Sequence, residues 1–226
     1  MSDGDLFKSD VFQRTAVDTQ EISIPQFNII IGLVLSWGFL ANWIMLKYIP
    51  PSSILAIHPI LFFIGYFASC FLGIYLFNTS KNSMVSFIGY NFVVVPFGLI
   101  VNIVVSRYQP ELVIEAIQIT AIVTVIMMIF GTLFPKFFQA IHGPITIALL
   151  AMIVVELIQI FVFHHVPEWT DWIVVIIFCG YIGYDWGRAL RIPKTVDNAV
   201  DSAAAIYMDI INLFLRILRI LGRRRR

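Results

Sequence analysis

Two aspartates, Asp185 and Asp209, stand inside long apolar runs near the C-terminal end of the sequence. A short loop joins the two runs, which predicts a pair of antiparallel helices. At a rise of about 1.5 Å per residue, the two carboxyls lie about 8 and 11 Å from the end of the pair where the loop joins the helices. Two neighbouring carboxylates in a low-dielectric site cannot both ionise cheaply, so we expect them to share one proton and titrate together.

A carboxyl pair of this kind suits three kinds of chemistry: a pH sensor, a pair of calcium ligands, or an acid catalyst. The alternative is that the two acids are unrelated. Each would then be paired separately with a basic residue, Arg188 or Arg216. Spacing alone leaves this alternative open.

A polar stripe runs along the last apolar segment. Its members recur at intervals of three, four and three residues, which places them on one face of a helix. Ionisable groups at membrane depth usually face a bundle interior or a watery cavity. An amphipathic helix lying in the membrane interface is the alternative, although Asp209 favours burial because such helices usually carry a basic face. The stripe consists of Asp209, Asn212, Arg216 and Arg219.

Two further acids fall inside apolar runs. Glu156 stands near the middle of the fifth run, and Glu115 stands near the start of the fourth. A carboxyl at membrane depth is neutral or paired, so each is either an interhelical hydrogen-bonding group or an oxygen ligand on an ion path. The loop after the fifth run holds His164, His165, Glu168 and Asp171. They could gather divalent ions at a mouth, but they lack tight metal-ligand spacing, so we interpret them as solvated loop residues.

The composition decides which solvent surrounds these groups. Of 226 residues, 59% are hydrophobic and 13% are charged, whereas soluble domains have about 45–50% and about 25%. That balance excludes a soluble enzyme, a nucleic-acid-binding protein and a disordered chain. The net charge of +1 gives no field that would attract a polyanion. Two cysteines cannot build a disulfide framework.

Seven apolar segments are long enough to cross a bilayer, which takes about 20 residues. Short loops containing Pro or Gly separate them, so we predict an all-α integral membrane protein. A polar tail (1–26), one seven-helix membrane domain (27–222) and a basic tail (223–226) make up the chain. The segments are 28–46, 56–77, 85–105, 112–133, 144–163, 171–189 and 202–221.

The short-loop Lys and Arg residues favour a cytosolic N-terminus. In that orientation the outside loops hold only Lys47 and Arg107. Seven full crossings would put the basic residues 223–226 outside, so either that tail is tolerated there or the last segment does not fully cross. The polar tail lacks the pattern of a secretory signal peptide. The inside segments hold Lys8, Arg14, Lys81, Lys136, Arg188, Arg191 and Lys194.

Three stretches carry a resemblance to a known family. They are Tyr184-Asp185 followed by Arg188, the run Ile206-Tyr207-Met208-Asp209-Ile210-Ile211-Asn212-Leu213-Phe214, and Val113 to Ala121. Together they resemble the transmembrane Bax inhibitor motif family. The likeness extends over roughly residues 30–222 and is most specific at 204–219.

The resemblance implies a fold and an activity. The fold has six helices surrounding a central C-terminal helix, and the activity is a pH-sensitive calcium leak without a resident cofactor. Asp185 and Asp209 match the family's proton-sharing sensor and would hold calcium transiently. Lys81 is the nearest candidate for the family's basic latch residue, which is usually Arg. The sequence departs from the family at Trp186-Gly187, where Thr-Gln is usual.

Two other functions stay open. A non-transporting regulator would capture a membrane-anchored protease or another membrane protein through the polar tail. An intramembrane aspartyl protease would use the two aspartates as acid and base, but Asp209 follows Ile206-Tyr207-Met208 rather than Gly-x-Gly, and no Pro-Ala-Leu follows. We therefore expect no enzyme. The partners expected are the lipid bilayer and calcium ions, in a bacterial inner or plasma membrane.

Overall fold

The computed structural model describes residues 21–224, and within that range the chain is helical and contains no strand. Most of the predicted polar tail, including Lys8 and Arg14, lies outside the described residues, as do the last two arginines. Eight helices are described: α1 (Ile24–Tyr48), α2 (Pro51–Leu55), α3 (Pro59–Thr79), α4 (Ser83–Val105), α5 (Pro110–Leu133), α6 (Pro135–Phe161), α7 (Glu168–Ala189) and α8 (Val196–Arg224).

Five of these helices, α1, α3, α4, α5 and α6, are long and apolar enough to cross a membrane. They hold 21 to 27 residues each, and many of their large apolar side chains are exposed. In water such surfaces would be costly, whereas in lipid they are solvated. The chain is thus a multi-pass integral membrane protein, as the composition predicts.

The last two helices differ from those five. Helices α7 and α8 carry more charged residues and do not meet the same criterion for an apolar span. Helix α8 is nevertheless deeply buried, since Tyr207, Leu213 and Leu218 have no exposed surface. A helix with this polar content is therefore enclosed by protein. The burial of α8 favours a polar stripe that faces the interior of the helix bundle over a helix that lies in the membrane interface.

Helix α6 corrects one predicted boundary. The sequence predicts a loop at 135–144 and a span beginning at 144, but the helix begins at Pro135 and continues through Pro144. Proline is well suited to the first turn of a helix, where no backbone N–H partner is needed. Inside a membrane helix it is tolerated when neighbouring groups satisfy the freed carbonyl. Pro144 therefore lies within α6 and does not end it.

Two smaller differences concern helix starts. The predicted loop after α1 contains the five-residue helix α2, so eight helices are described where seven were expected. Helix α8 begins at Val196, ahead of the predicted 202, because Thr195 caps it: the backbone N–H of Asn198 donates to Thr195 Oγ1 at 3.1 Å. Such a side-chain cap satisfies a free N–H group of the first turn.

The described chain divides into two compact units. The first unit holds the residues up to Ile103 together with Ala189–Ala204. Inside it the backbones of α3 and α4 touch, since a Cβ on Gly73 would lie 2.5 Å from the carbonyl oxygen of Gly89. Buried polar contacts add to this packing: Ser86 Oγ donates to Asp197 Oδ1 at 2.7 Å.

The loop between α7 and α8 also belongs to the first unit. Lys194 Nζ donates to the carbonyl oxygens of Ala189 and Ile192 at 2.8 Å each and lies 4.8 Å from the ring centre of Phe27. No carboxylate partner is recorded for Lys194 in the part of the chain that the structure describes. Partial burial lowers the pKa of its ammonium group, because desolvation disfavours the charged form.

The second unit holds Val104–Arg188 and the chain from Ala205 onward. Two glycines bring its helices close together. A Cβ on Gly131 of α5 would overlap the carbonyl oxygen of Gly183 of α7, and a Cβ on Gly183 would overlap the ring of Phe138 of α6. The unit also contains α7 up to Arg188 and α8 from Ala205 onward.

Candidate functional site

Helices α7 and α8 place Asp185 and Asp209 side by side. Asp185 lies one turn before the end of α7, Asp209 lies near the middle of α8, and their carboxyl groups lie within hydrogen-bonding reach of each other. Asp209 is 6% exposed and the Asp185 side chain is 12% exposed. The contact is as expected, but the equal depths are not: Asp185 lies four residues before the end of α7, whereas Asp209 lies 13 residues after the start of α8.

A hydrogen bond between two carboxyl groups needs a proton on one of them, because two carboxylates offer only acceptors. Asp209 Oδ2 is buried and accepts no hydrogen bond from an N–H or hydroxyl group of the described residues. The pair can therefore hold one proton between its two acids. Such a site changes its charge by one unit when that proton leaves.

Basic and aromatic groups surround this carboxyl pair. Arg188 Nη1 lies 3.9 Å from Asp185 Oδ1 on the same helix. The ring of His142 stacks on Tyr184 with centres 4.0 Å apart and planes 20° apart, and Asp185 lies within its electrostatic reach. Sequence reasoning missed His142 because it falls in the stretch 135–144 that was interpreted as a loop.

The predicted latch residue, Lys81, lies exposed in the turn between α3 and α4, in the first unit. Asp185 belongs to the second unit, where Arg188 is the basic residue on its own helix. The pairing of Lys81 with Asp185 therefore stays a prediction. Trp186, where the sequence departs from the family pattern, donates from Nε1 to Thr132 Oγ1 at 3.0 Å and so ties α7 to α5.

A second group of charges lies toward the other end of α7 and α8. We call it the arginine cluster: Glu156, Asp171, Arg216, Arg219 and Arg223. Arg216 uses Nη1 and Nη2 to contact both carboxylate oxygens of Glu156, with Nη2 to Oε2 at 2.9 Å, and its Nη1 also lies 3.0 Å from Asp171 Oδ1. Arg219 Nη1 lies 3.0 Å from Asp171 Oδ1, and Arg223 Nη1 lies 3.2 Å from Asp171 Oδ2.

The arginine cluster explains most of the polar stripe. Arg216 and Arg219 face acids of α6 and α7, so Arg216 is not the partner of Asp209. Asn212 instead donates from Nδ2 to the carbonyl oxygen of Met208, one turn back in its own helix, at 2.8 Å. The interpretation of Asp171 as a solvated loop residue is wrong, because it is 0% exposed in the first turn of α7.

Glu115 is the remaining predicted site residue. Glu115 lies half-buried near the start of α5, and its place on an ion path stays a prediction. In residues 21–224, no three His, Cys, Asp or Glu side chains converge as a metal site would require. A calcium ion at Asp185 and Asp209 would therefore have two carboxyl groups as its side-chain acids.

A family model described as "Inhibitor of apoptosis-promoting Bax1" matches residues 27–226. The chain belongs to the Bax inhibitor-1 family. This match confirms the family resemblance drawn from the sequence motifs and includes both charged groups of α7 and α8. The family description itself assigns no ion, reaction or site residue to the chain.

Named relatives occur in plants, fungi and bacteria. The chain is 31% identical over 134 residues to Protein LIFEGUARD 1 of Arabidopsis thaliana, covering 54% of each. It is 30% identical over 132 residues to Bax inhibitor 1 of Schizosaccharomyces pombe, covering 55% of this chain and 47% of the relative. An uncharacterized membrane protein of Streptococcus pyogenes is 27% identical over 133 residues, which cover 56% of this chain and 58% of the relative. The chain spans about half the length of the curated relatives it matches.

Proposed function

We propose that this Bax inhibitor-1 family protein is a passive calcium leak gated by pH through Asp185 and Asp209. The single observation that carries the proposal is the close approach of these two buried carboxyl groups. Acids at membrane depth are expensive and usually functional. Calcium is the permeant ion in this proposal, and no resident cofactor is needed.

The carboxyl pair supplies a two-state element. When the shared proton leaves, two negative charges stand next to each other. At about 4 Å and an effective dielectric constant of about 20, like charges repel by about 4 kcal/mol. A difference of that size shifts an equilibrium between two helix arrangements about a thousandfold. Arg188 and calcium both offer positive charge to the ionised pair, so proton and calcium compete for one site.

The proposed architecture has seven membrane-crossing helices with α8 enclosed by the other six. The family resemblance implies this arrangement, and the burial of Tyr207, Leu213 and Leu218 is consistent with an enclosed α8. We further propose a cytosolic N-terminus in a bacterial inner or plasma membrane, from the distribution of Lys and Arg in the loops. Labelling of single cysteines placed at Lys47 and Lys136 from each side of the membrane tests that orientation.

Flux measurements test the leak. Purified protein in liposomes loaded with a calcium dye should pass calcium at a rate that depends on pH. Asp209→Asn cannot release a proton, so the pH dependence should be lost. Glu168→Gln removes an exposed carboxyl from α7 and should keep the wild-type profile. Unchanged pH dependence in Asp209→Asn, or no calcium flux in wild type, contradicts the proposal.

We propose no catalytic role for the carboxyl pair. Peptide hydrolysis needs a substrate and a water between the two acids, and Asp209 is almost completely buried against Asp185. A transmembrane reporter incubated with the protein should stay intact. Cleavage that Asp185→Ala abolishes would replace the leak with a protease. The non-transporting regulator depends on residues 1–26, and deletion of residues 1–22 with unchanged flux but lost partner capture would favour it.

A further inference from the structure

Glu156 of α6 and Asp171 of α7 converge on a single positive group. The guanidinium of Arg216 contacts both oxygens of Glu156 and, through the same Nη1, Oδ1 of Asp171 at 3.0 Å. Glu156 and Asp171 are thus held within reach of one cation centre. Asp171 has no exposed surface, and the side chains of Glu156 and Arg216 are less than one fifth exposed.

A third oxygen lies on the same face of α6. Gln159 follows Glu156 by three residues, a spacing that puts two side chains on one side of a helix. It is 8% exposed, and its Oε1 accepts no hydrogen bond from the described residues. A buried amide oxygen without a donor is costly. Two carboxylates and an amide oxygen are the ligands that calcium prefers.

We propose that Glu156, Asp171 and Gln159 form a divalent-cation site that Arg216 fills as a tethered cation in this state. Arg216 is part of the chain and reaches the acids from α8. Its withdrawal leaves oxygen ligands of α6 and α7 without their shared positive group. A calcium ion entering there restores the lost charge, so Arg216 and calcium are alternative occupants of one site.

The other two arginines have different positions. Arg219 and Arg223 contact Asp171 but not Glu156, and their side chains are 38% and 30% exposed. Their exposure lets them turn toward solvent or headgroups when a divalent cation enters. Arg216 alone, among the described residues, bridges Glu156 and Asp171. The proposal therefore singles out Arg216 from its neighbours and makes Arg223 a matched control.

The site's use in conduction rests on the proposed function, whereas its cation chemistry does not. The test uses the full chain in detergent, with CaCl2 as the probe, EDTA as the reference and NaCl at matched ionic strength. Arg216→Met keeps the length and removes the charge. Its melting temperature should rise by about 3–5 °C when calcium is about ten times its Kd. Wild type should change by less than about 1 °C, since Arg216 already fills the site.

Two variants control for nonspecific effects. Arg216→Met combined with Glu156→Gln removes a carboxylate ligand and should abolish the calcium response. Arg223→Met removes the same charge from the edge of the cluster and should behave as wild type. The proposal is overturned if Arg216→Met responds equally to NaCl, if Arg223→Met shows the same rise, or if Arg216→Met is recovered folded in neither calcium nor EDTA.

Flux separates this inference from the proposed function. If wild type leaks calcium, Arg216→Met should leak faster because an internal competitor is gone. If calcium stabilises Arg216→Met but wild type shows no calcium flux, the cation site is supported and the leak proposal is contradicted. A leak that depends on Asp209, together with a calcium-insensitive Arg216→Met, would sustain the leak and end the cation site.

Discussion

The carboxyl pair and the arginine cluster are two solutions to one problem, since each buries two acids on the helices at the end of the chain. At Asp185 and Asp209 the acids face each other, and Arg188 Nη1 lies 3.9 Å from Asp185 Oδ1. At Glu156 and Asp171 the acids face three arginines. A like charge nearby disfavours the ionised form of an acid, whereas a nearby arginine favours it. The two proposals follow this contrast, with pH gating at the carboxyl pair and cation exchange at the arginine cluster.

Breaking the arginine cluster should have the largest effect. Asp171→Asn leaves three arginines without the fully buried carboxylate that they share, and removal of one partner from such a group costs about 3–5 kcal/mol. Chemical unfolding in detergent measures this loss. Glu168→Gln, one turn earlier on α7 and exposed, should change stability by less than about 0.5 kcal/mol. Equal stability of the two variants would mean that the cluster does not hold α8.

The close approach of α5 to α7 near the carboxyl pair predicts the next largest effect. A Cβ on Gly131 would overlap the backbone carbonyl of Gly183, so Gly131→Ala should cost about 1–3 kcal/mol through overpacking. The measurement is the unfolding free energy together with the pH profile of flux. Gly143→Ala is the matched control, because no atom lies within 4 Å of its added methyl group. That control should be neutral or up to about 1 kcal/mol more stable.

Lys194 extends the comparison from buried acids to a partly buried cation. Its recorded hydrogen-bond partners are carbonyl oxygens, and burial lowers the pKa of its ammonium group. The unfolded chain therefore binds more protons than the folded chain between the lowered pKa and the ordinary value of about 10.4. Stability should rise with pH through that window. Melting temperatures of wild type and Lys194→Met between pH 7 and 11 should show the rise in wild type and a smaller one in the variant.

The connection between α6 and α7 predicts the smallest effect. His164 has a φ of 52°, in the left-handed region, in the loop that follows α6. Glycine adopts that conformation without strain, so His164→Gly should stabilise the protein by up to about 1 kcal/mol. His164→Ala keeps a Cβ and should give little of this gain. Destabilisation by His164→Gly would show that the imidazole has a contact role here.

Particular residues show what the sequence could and could not predict. Apolar runs locate the long helices because a bilayer demands about 20 such residues. The helix rise alone does not account for the contact between Asp185 and Asp209, because α8 begins at Val196 and Asp209 lies 13 residues into it. The long apolar helices are local features, so composition and length determine them.

Long-range partners carry no such signal. Arg216 and Glu156 are 60 positions apart, and nothing in either neighbourhood indicates that they meet. Asp171 follows Pro167 closely and has the character of a loop residue, yet three arginines from α8 enclose it. His142 was lost for another reason: Pro144 was interpreted as a helix breaker, although α6 continues through it. Tertiary contacts decided these positions.

Helix α8 is continuous from Val196 to Arg224, and Asp209 and Arg216 lie seven residues apart on it. That interval is nearly two full turns, or about 10 Å along the axis, so both side chains point in almost the same direction. A roll of α8 about its own axis would carry both through the same angle. Any such roll that separates Asp209 from Asp185 also draws Arg216 away from Glu156. In the two proposals, proton release at Asp209 and cation exchange at Arg216 would therefore accompany one rotation of the helix.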